Sequence, residues 1–169
     1  MIPAQHPVNE PARIKALHNL LILDTPPEQR FDLIITFLAD EFTMPIAMIS
    51  LVDSNRQWFK ARLGMTCAET DRNISFCAHA ILGTELFIVP DAQQDGRFSD
   101  NPLVTDVPFV RFYAGAPLIM NSGHVIGTLC MLDYTPRSLD PLDMAIFCAV
   151  RNIVVDEIEL TTKHIISAP

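Results

Sequence analysis

Residues 111–133 read RFYAGAPLIMNSGHVIGTLCMLD, with two apolar, β-prone runs on either side of a short polar segment. The polar segment, Asn121-Ser122-Gly123, contains a glycine that can adopt a positive φ, which suits the turn of a β-hairpin. Side chains along a strand point alternately to its two faces. The stretch therefore predicts an antiparallel hairpin around which the rest of the chain is organised.

The first strand of this hairpin has two unlike faces. One face is apolar and suits a hydrophobic core; it consists of Phe112, Ala114, Ala116 and Leu118. The other face combines a guanidinium and a phenol with two residues of little side-chain bulk; it consists of Arg111, Tyr113, Gly115 and Pro117. A charge, a hydroxyl and free space on one face predict either a ligand chamber or a packed cap over the sheet.

The composition excludes several classes of protein. The 169 residues are 49% hydrophobic with a mean hydropathy of +0.24, which predicts one well-packed domain. A net charge of −8 without a basic cluster argues against binding to nucleic acid or to an anionic membrane. No apolar run approaches the ~20 residues that span a bilayer, and the start of the chain does not resemble a signal peptide. The four cysteines form no Cys-x-x-Cys pair, which is typical of reduced thiols, so we expect a cytoplasmic protein.

Apolar periodicity and turn residues predict the order of the elements. The predicted elements are a helix at 12–23, a helix at about 26–42 capped by Asp24 or Thr25, strands at 46–53 and 56–62, a loop at 64–70, a short helix from 73 or 75 to 82 capped by Ser75, a strand at 86–90, a long loop at 91–108 with a helical turn at 97–101, the 111–133 hairpin and a helix at 141–163.

This order predicts an α+β fold with a central antiparallel sheet of five or six strands. The long N- and C-terminal helices should cover one face, and the short helix with the long loop should cover the other. Residues 1–11 are predicted to be a flexible lead-in, 12–164 a single domain and 165–169 a tail.

Several motifs, in the order in which they occur, resemble one known family. They are RIKAL at 13–17, LDTPPE at 23–28, SLVDSNRQWFK at 50–60, SFCAHAI at 75–81, RFYAGAPL at 111–118 and GTLCMLD at 127–133. Together they resemble the GAF domains of bacterial sensor histidine kinases and diguanylate cyclases, over about residues 13–160. The resemblance implies a GAF-like fold that holds a ligand, or nothing, between the sheet and the short helix and that signals through its terminal helices. Members bind cyclic nucleotides, bilins or haem, one branch reduces free methionine sulfoxide, and many have no known ligand, so the resemblance selects no cofactor.

Cys77 and His79 can ligate a metal or haem, or form a nucleophile–base pair. On a regular helix, residues two positions apart point about 200° away from each other, which favours a structural role for this pair. In bilin-binding GAF domains, by resemblance, the anchoring cysteine directly precedes a histidine, whereas Ala78 intervenes here. A reductase would require a second cysteine within disulfide reach of Cys77, and Cys67 is the candidate.

Arg111 and Tyr113 predict a clamp for an anionic group, with Asp91 or Asp95 close by on the long loop. The alternative is a buried Arg–Asp pair that ties the loop to the sheet. Trp58, the one tryptophan, either lines a pocket or covers the sheet edge. The predicted ligand-binding residues are Trp58, Phe76, Cys77, His79, Asp91, Arg111 and Tyr113, with no catalytic and no metal-binding residue.

The last predicted helix carries more apolar residues than one core-facing stripe requires, which predicts a homodimer through the terminal helices. A deeply buried helix is the alternative. The leading hypothesis is a non-catalytic sensory domain of bacterial signal transduction that binds an unidentified small molecule. The alternatives are a thiol-dependent reductase of the free methionine sulfoxide type and a ligand-free dimerisation module.

Overall fold

The computed structural model describes residues 1–166 of the chain, with side chains described through residue 160. The α-helices in this part of the chain are α1 (Glu10–Asn19), α2 (Gln29–Phe42), α3 (Phe76–Ala80), α4 (Pro102–Thr105) and α5 (Pro141–Ile166). The strands are β1 (Ile46–Val52), β2 (Arg56–Leu63), β3 (Glu69–Asp71), β4 (Phe87–Val89), β5 (Phe112–Ile119) and β6 (Val125–Asp133). A short 3-10 helix, Arg72–Ile74, joins β3 to α3.

The strands form one six-stranded antiparallel sheet in the order β3-β2-β1-β6-β5-β4. The β5–β6 hairpin lies near its centre, since β6 pairs with β5 on one side and with β1 on the other. Gly123 in the hairpin turn has a φ of +79°, a conformation that L side chains rarely adopt. The predicted α+β fold and its antiparallel sheet are confirmed.

The two faces of β5 separate two hydrophobic cores, as the alternation of its residues predicts. The apolar face packs against the long helices in a helix-side core, whose members include Phe112, Ala114, Ala116, Leu118, Leu17, Phe31, Leu38 and Phe147. Tyr113 points the other way, into a smaller cap-side core beneath α3, α4 and the segment 91–110, which together we call the cap. Each large side chain buried in these cores contributes about 1.5–3 kcal/mol of hydrophobic free energy.

The connection between the first two helices differs from its prediction. α1 ends at Asn19, and Leu21 and Asp24 beyond it have positive φ angles of 52° and 59°. α2 begins at Gln29 without a side-chain cap, because Thr25 Oγ1 donates its hydrogen bond back to the carbonyl of residue 22, at 2.7 Å. The connection between the two helices therefore comprises residues 20–28 and is longer than predicted.

One prediction in the middle of the chain was also wrong. Part of the predicted loop at 64–70 is strand β3, which pairs with β2 and so extends the sheet by one edge strand. An element of three residues is too short to show a periodicity. The helical turn predicted at 97–101 is present, since Ser99 N donates to the Asp95 carbonyl at 2.9 Å and Asn101 N to the Phe98 carbonyl at 2.8 Å. The short helix α4 follows it directly, with Asn101 as its N-cap.

The ends of the chain are partly described. Within the predicted lead-in, Ile2 N donates a hydrogen bond to the Arg97 carbonyl at 3.1 Å, so these residues contact the cap. The predicted tail at 165–169 overlaps α5, and residues 167–169 lie outside the described residues. Within residues 1–166, no helix combines the length and the apolarity that crossing a bilayer requires.

Candidate functional site

Ser75 and Asn101 begin the two short helices of the cap and anchor them. The Ser75 hydroxyl accepts a hydrogen bond from the first turn of α3 (3.1 Å), as predicted, and donates one to Gln57 Oε1 on β2 (2.5 Å). The Asn101 side chain accepts a hydrogen bond from the first turn of α4 (2.9 Å) and donates one to the Ile74 carbonyl (2.9 Å). Such helix caps each stabilise a helix by about 1 kcal/mol. They therefore hold α3 and α4 together over the sheet.

Aromatic rings fill most of the space between the cap and the sheet. Phe76 on α3 stacks between Phe98 and Tyr113, with ring centroids 4.1 and 5.1 Å away. Phe87 on β4 meets the Tyr113 ring edge-on at 6.1 Å. The site is thus closed by apolar packing and leaves little open volume.

Tyr113 lies across the surface of β5 because its neighbour on that face has no side chain. A Cβ atom at Gly115 would overlap the Tyr113 ring and hydroxyl, so only glycine permits this orientation. The Tyr113 hydroxyl donates a hydrogen bond to Cys77 Sγ at 3.2 Å. The glycine of the 111–118 motif therefore brings the phenol to the cysteine.

A cavity of about 20 Å³ remains beside Tyr113 and Cys77, enough for about one water molecule. It lies between the cap and the sheet, where residues of every strand but β4 line it. Its lining is mainly apolar with four polar side chains, and consists of Met48, Gln57, Phe59, Met65, Thr70, Phe76, Cys77, Leu103, Pro108, Val110, Tyr113 and Leu132.

A cluster of sulfur and hydroxyl groups lies under α3. Cys77 Sγ is 3.8 Å from Cys130 Sγ on β6, and both side chains are buried. Burial raises the pKa of the Cys77 thiol, but the adjacent Cys130, Thr128, Tyr113 and Ser50 groups outweigh it and lower that pKa to about 7. Contact with Cys77, together with burial, raises the pKa of Cys130. In residues 1–160, the buried hydroxyls of Ser50 and Thr128 have no partner at well-aligned hydrogen-bond geometry.

Of the seven predicted site residues, the structure brings three together. Phe76, Cys77 and Tyr113 line the cavity. His79 lies half-buried on the outer side of α3, where its ring contacts Phe98 edge-on at 4.8 Å and its Nε2 donates to the Ile2 carbonyl at 3.0 Å. Its pKa is lowered, chiefly by burial. Cys77 and His79 thus point apart, as their helical spacing predicts.

The predicted clamp at Arg111 was wrong. The Arg111 Nη1 donates to three backbone carbonyls of segment 104–110, at 2.9–3.2 Å, and Arg111 does not line the cavity. The alternative Arg–Asp pair was wrong too, because Asp91 accepts a hydrogen bond from a backbone amide of its own turn and Asp95 pairs with Arg97. β5 begins only after Arg111, so strand alternation does not apply to it.

The prediction that Trp58 lines the pocket was also wrong. Trp58 is 7% exposed and packs in the helix-side core. Its neighbour Phe59 has the opposite orientation and lines the cavity. Alternation along β2 meant that only one of these two aromatic residues could face the cap, and the sequence did not indicate which.

Several residues of the site were missed. Cys130 and Thr128 lie two positions apart on β6, and Ser50 pairs with Thr128 across β1 and β6. The available signal was the presence of small polar residues within otherwise apolar strands. Within the described residues, no group of three or more His, Cys, Asp or Glu side chains is placed to hold a metal ion.

Comparisons with known proteins agree with this architecture. A family model for the GAF domain matches residues 26–156. The chain belongs to the GAF domain family. Over 137 residues it is 42% identical to a cyclic di-GMP phosphodiesterase of Pseudomonas aeruginosa, a match that covers 81% of this chain and 23% of that protein. This GAF domain therefore spans about a quarter of the length of its curated relative.

Two solved structures illustrate the shared fold. The GAF domain of a phosphoenolpyruvate-protein phosphotransferase from Coxiella burnetii superposes with a TM-score of 0.68 at 14% identity, covering 90% of this chain and 95% of that one. A free methionine-R-sulfoxide reductase from Neisseria meningitidis, in complex with its substrate, gives 0.66 at 16% identity, covering 97% and 99%. At such identities the likeness concerns the fold alone.

Proposed function

We propose that this GAF domain is a non-catalytic regulatory domain of a bacterial signalling protein and that it binds a small molecule in the cavity beside Tyr113. The observation that carries the proposal is that cavity, which lies between the sheet and a cap of short elements. The relationship to a cyclic di-GMP phosphodiesterase supports a place in signal transduction.

The lining indicates the kind of ligand. Apolar side chains dominate, while Gln57, Thr70 and Tyr113 offer hydrogen bonds. A small, largely apolar molecule with one or two polar groups fits this pattern. Because the cavity of about 20 Å³ is too small for such a molecule, binding requires the cap to move away from the sheet.

The β5–β6 hairpin connects the cavity to the last helix. Tyr113 on β5 contacts the cavity, and further along the same strand the Pro117 carbonyl accepts a hydrogen bond from Arg151 on α5 at 3.0 Å. In the hairpin turn, Asn121 N donates to Glu159 on α5 at 2.8 Å. A displacement of β5 by a ligand would therefore reach α5 directly, which supports signalling through the terminal helix.

The ligand proposal is tested by filling the cavity. Leu103 on α4 lines the cavity, and Leu103→Trp places an indole in it. We expect native mass spectrometry of the chain, incubated with the dialysable fraction of a bacterial lysate, to show a non-covalent small molecule. In L103W its occupancy should fall about tenfold, which corresponds to ~1.4 kcal/mol.

The matched control is Val107→Trp, which adds the same group to an exposed position of the same cap. V107W should retain the bound molecule. A wild-type chain that carries no molecule under these conditions, or equal occupancy in L103W, would contradict the proposal.

The terminal-helix dimer is the second part of the proposal. Leu142, Ile146, Ala149 and Ile153 follow one another on α5 at spacings of four, three and four residues, the pattern of a two-helix seam. Leu142 and Ile153 are 67% and 51% exposed. The occupant that we propose for this surface is α5 of a second copy. Pairing with an identical helix would bury the exposed Leu142 and Ile153 side chains of both copies.

Ile153→Lys tests this seam, because it puts a charge into the centre of the proposed contact. We expect light scattering coupled to size-exclusion chromatography to show a dimer for the wild type and a dissociation constant at least about tenfold higher for I153K. Leu82→Lys, at a 46% exposed leucine just beyond α3, is the control and should leave the dimer intact. A monomeric wild type would refute the dimer.

A further inference from the structure

We propose that Cys77 and Cys130 form a peroxide-sensitive dithiol, in which Cys77 is oxidised and Cys130 resolves it to a disulfide that ties the cap to the sheet. This inference does not require the regulatory ligand proposed above. It concerns a second input to the same domain.

The geometry places two thiols from distant parts of the chain together. Cys77 on α3 and Cys130 on β6 are separated by 53 positions in sequence, and their sulfur atoms lie 3.8 Å apart. A disulfide requires an S–S distance of about 2.05 Å, so the two sulfurs must approach by a further ~1.8 Å. Cys130 is held by the sheet, whereas Cys77 belongs to the short helix α3, which can supply this movement by a small shift of the cap.

The surroundings distinguish the two sulfurs chemically. Tyr113 donates a hydrogen bond to Cys77 Sγ, and the buried hydroxyls of Ser50 and Thr128 lie beside the same atom. These groups favour the Cys77 thiolate, and the pKa of Cys130 is raised by its contact with Cys77 and by burial. Because the thiolate is the nucleophile, Cys77 is the sulfur that attacks, and Cys130 remains a thiol until the second step.

Access for the oxidant comes from the cavity. Both cysteines are almost fully buried, but Cys77 lines the cavity, which has room for about one water molecule. Hydrogen peroxide is only slightly larger than water. Bulky oxidants would be excluded, so the site should select for small peroxides.

Oxidation of the two thiols proceeds in two steps. The Cys77 thiolate attacks one oxygen of hydrogen peroxide, an S–O bond forms, the O–O bond breaks and hydroxide leaves, so that the sulfur is oxidised by two electrons to a sulfenic acid. The Cys130 sulfur then attacks the Cys77 sulfur; the S–S bond forms and the S–O bond breaks. The departing hydroxyl takes the Cys130 proton and leaves as water. With the proton first lost by Cys77, the net products are one disulfide and two water molecules.

The disulfide would restrict the movement that ligand binding requires. It would join α3 to β6 across the interface of the cap and the sheet. It would also remove the thiolate that accepts the Tyr113 hydrogen bond. Oxidation should therefore stabilise the closed domain and reduce ligand exchange.

The test uses the wild-type chain, so it does not depend on whether a variant folds. The reduced protein is treated with hydrogen peroxide, its remaining thiols are alkylated, and its non-reduced peptides are analysed by mass spectrometry. We expect a linked peptide that contains Cys77 and Cys130, free Cys67 and Cys148, and a Tm that is roughly 5–15 °C higher than that of the reduced protein. A disulfide between Cys67 and Cys77, or oxidation confined to the less buried Cys67 and Cys148, would overturn the proposal.

Variants then assign the roles. Cys130→Ala should stop the reaction at a Cys77 sulfenic acid, which intact-mass spectrometry detects as one added oxygen and which dimedone traps once the protein is unfolded in its presence. Cys77→Ala should leave Cys130 unmodified. Cys148→Ala, at a cysteine in α5 outside the cluster, is the control and should behave like the wild type. Oxidation of Cys130 at the wild-type rate in the absence of Cys77 would contradict the order of the two steps.

Discussion

Replacing Gly127 by valine is expected to reduce the stability of the domain by more than about 3 kcal/mol and to leave little folded protein. Gly127 lies in β6, between β1 and β5. A Cβ atom at this position would overlap the backbone carbonyl of Ser50. Unlike a side chain, that backbone cannot rotate away, so the two central strands would have to separate.

Urea unfolding followed by Trp58 fluorescence measures this loss, because the single tryptophan is buried in the helix-side core. The control is Gly83→Ala, at a glycine whose added Cβ atom would have no neighbour within 4 Å in the described structure. G83A should change the free energy of unfolding by less than about 1 kcal/mol. If the midpoint of urea unfolding is the same for G127V and the wild type, β1 and β6 do not approach each other at Gly127 as closely as described.

Glu10→Ala is the second substitution with a large expected effect, a loss of about 3–5 kcal/mol. The Glu10 carboxylate accepts hydrogen bonds from Arg13 at 2.7 and 2.9 Å and from Arg72 at 2.5 Å. Arg13 is 1% exposed and Arg72 is 6% exposed. Removing the carboxylate leaves two buried guanidinium groups without the charge that neutralises them.

Denaturant unfolding of E10A measures the loss, and Asp24→Asn is the matched control, because asparagine tolerates the positive φ of this position. Asp24 also pairs with an arginine, Arg56 at 2.6 Å, but its side chain is 63% exposed. Exposed pairs are screened by water, so D24N should lose less than about 1 kcal/mol. Equal losses in the two variants would show that the burial of the Glu10 network has no energetic consequence.

The same network predicts a pH dependence. Burial raises the pKa of Glu10, but the hydrogen bonds and charges of Arg13 and Arg72 outweigh it and lower that pKa from 4.5 to about 2. Because the folded-state pKa is the lower one, the stabilisation is complete above about pH 4.5 and is lost as the pH falls towards 2. The stability of the wild type should therefore fall more steeply than that of E10A between these two pH values.

Much of the fold could be predicted because the deciding patterns are local. Alternation in β5 separated Phe112 from Tyr113, and the structure places these two residues in opposite cores. Ser75 is a typical helix cap and does begin α3. By contrast, β3 is three residues long and exists only because β2 offers it a hydrogen-bonding edge, so no pattern within its own sequence could reveal it.

The candidate site could be predicted only in part. Tyr113 was placed beside the cavity because a neighbouring glycine on the same strand face indicated space above the sheet. Phe76 and Cys77 were placed there because the short helix was predicted to cover that face. Arg111 was misplaced because the same alternation was extended by one residue beyond the strand, where the loop carbonyls bind the guanidinium instead. Trp58 was misplaced because two adjacent aromatic residues, one on each face, give no local sign of which face the cap covers.

The sequence by itself determined the antiparallel hairpin, the two-faced sheet and the family, since periodicity, turn residues and ordered motifs are properties of neighbouring residues. Only the tertiary structure decided that Cys77 meets Cys130 and that Glu10 joins Arg13 to Arg72. The cysteines are separated by 53 positions, and Glu10 and Arg72 by 62. Contacts over such separations depend on how helices and strands pack, which no local pattern of residues specifies.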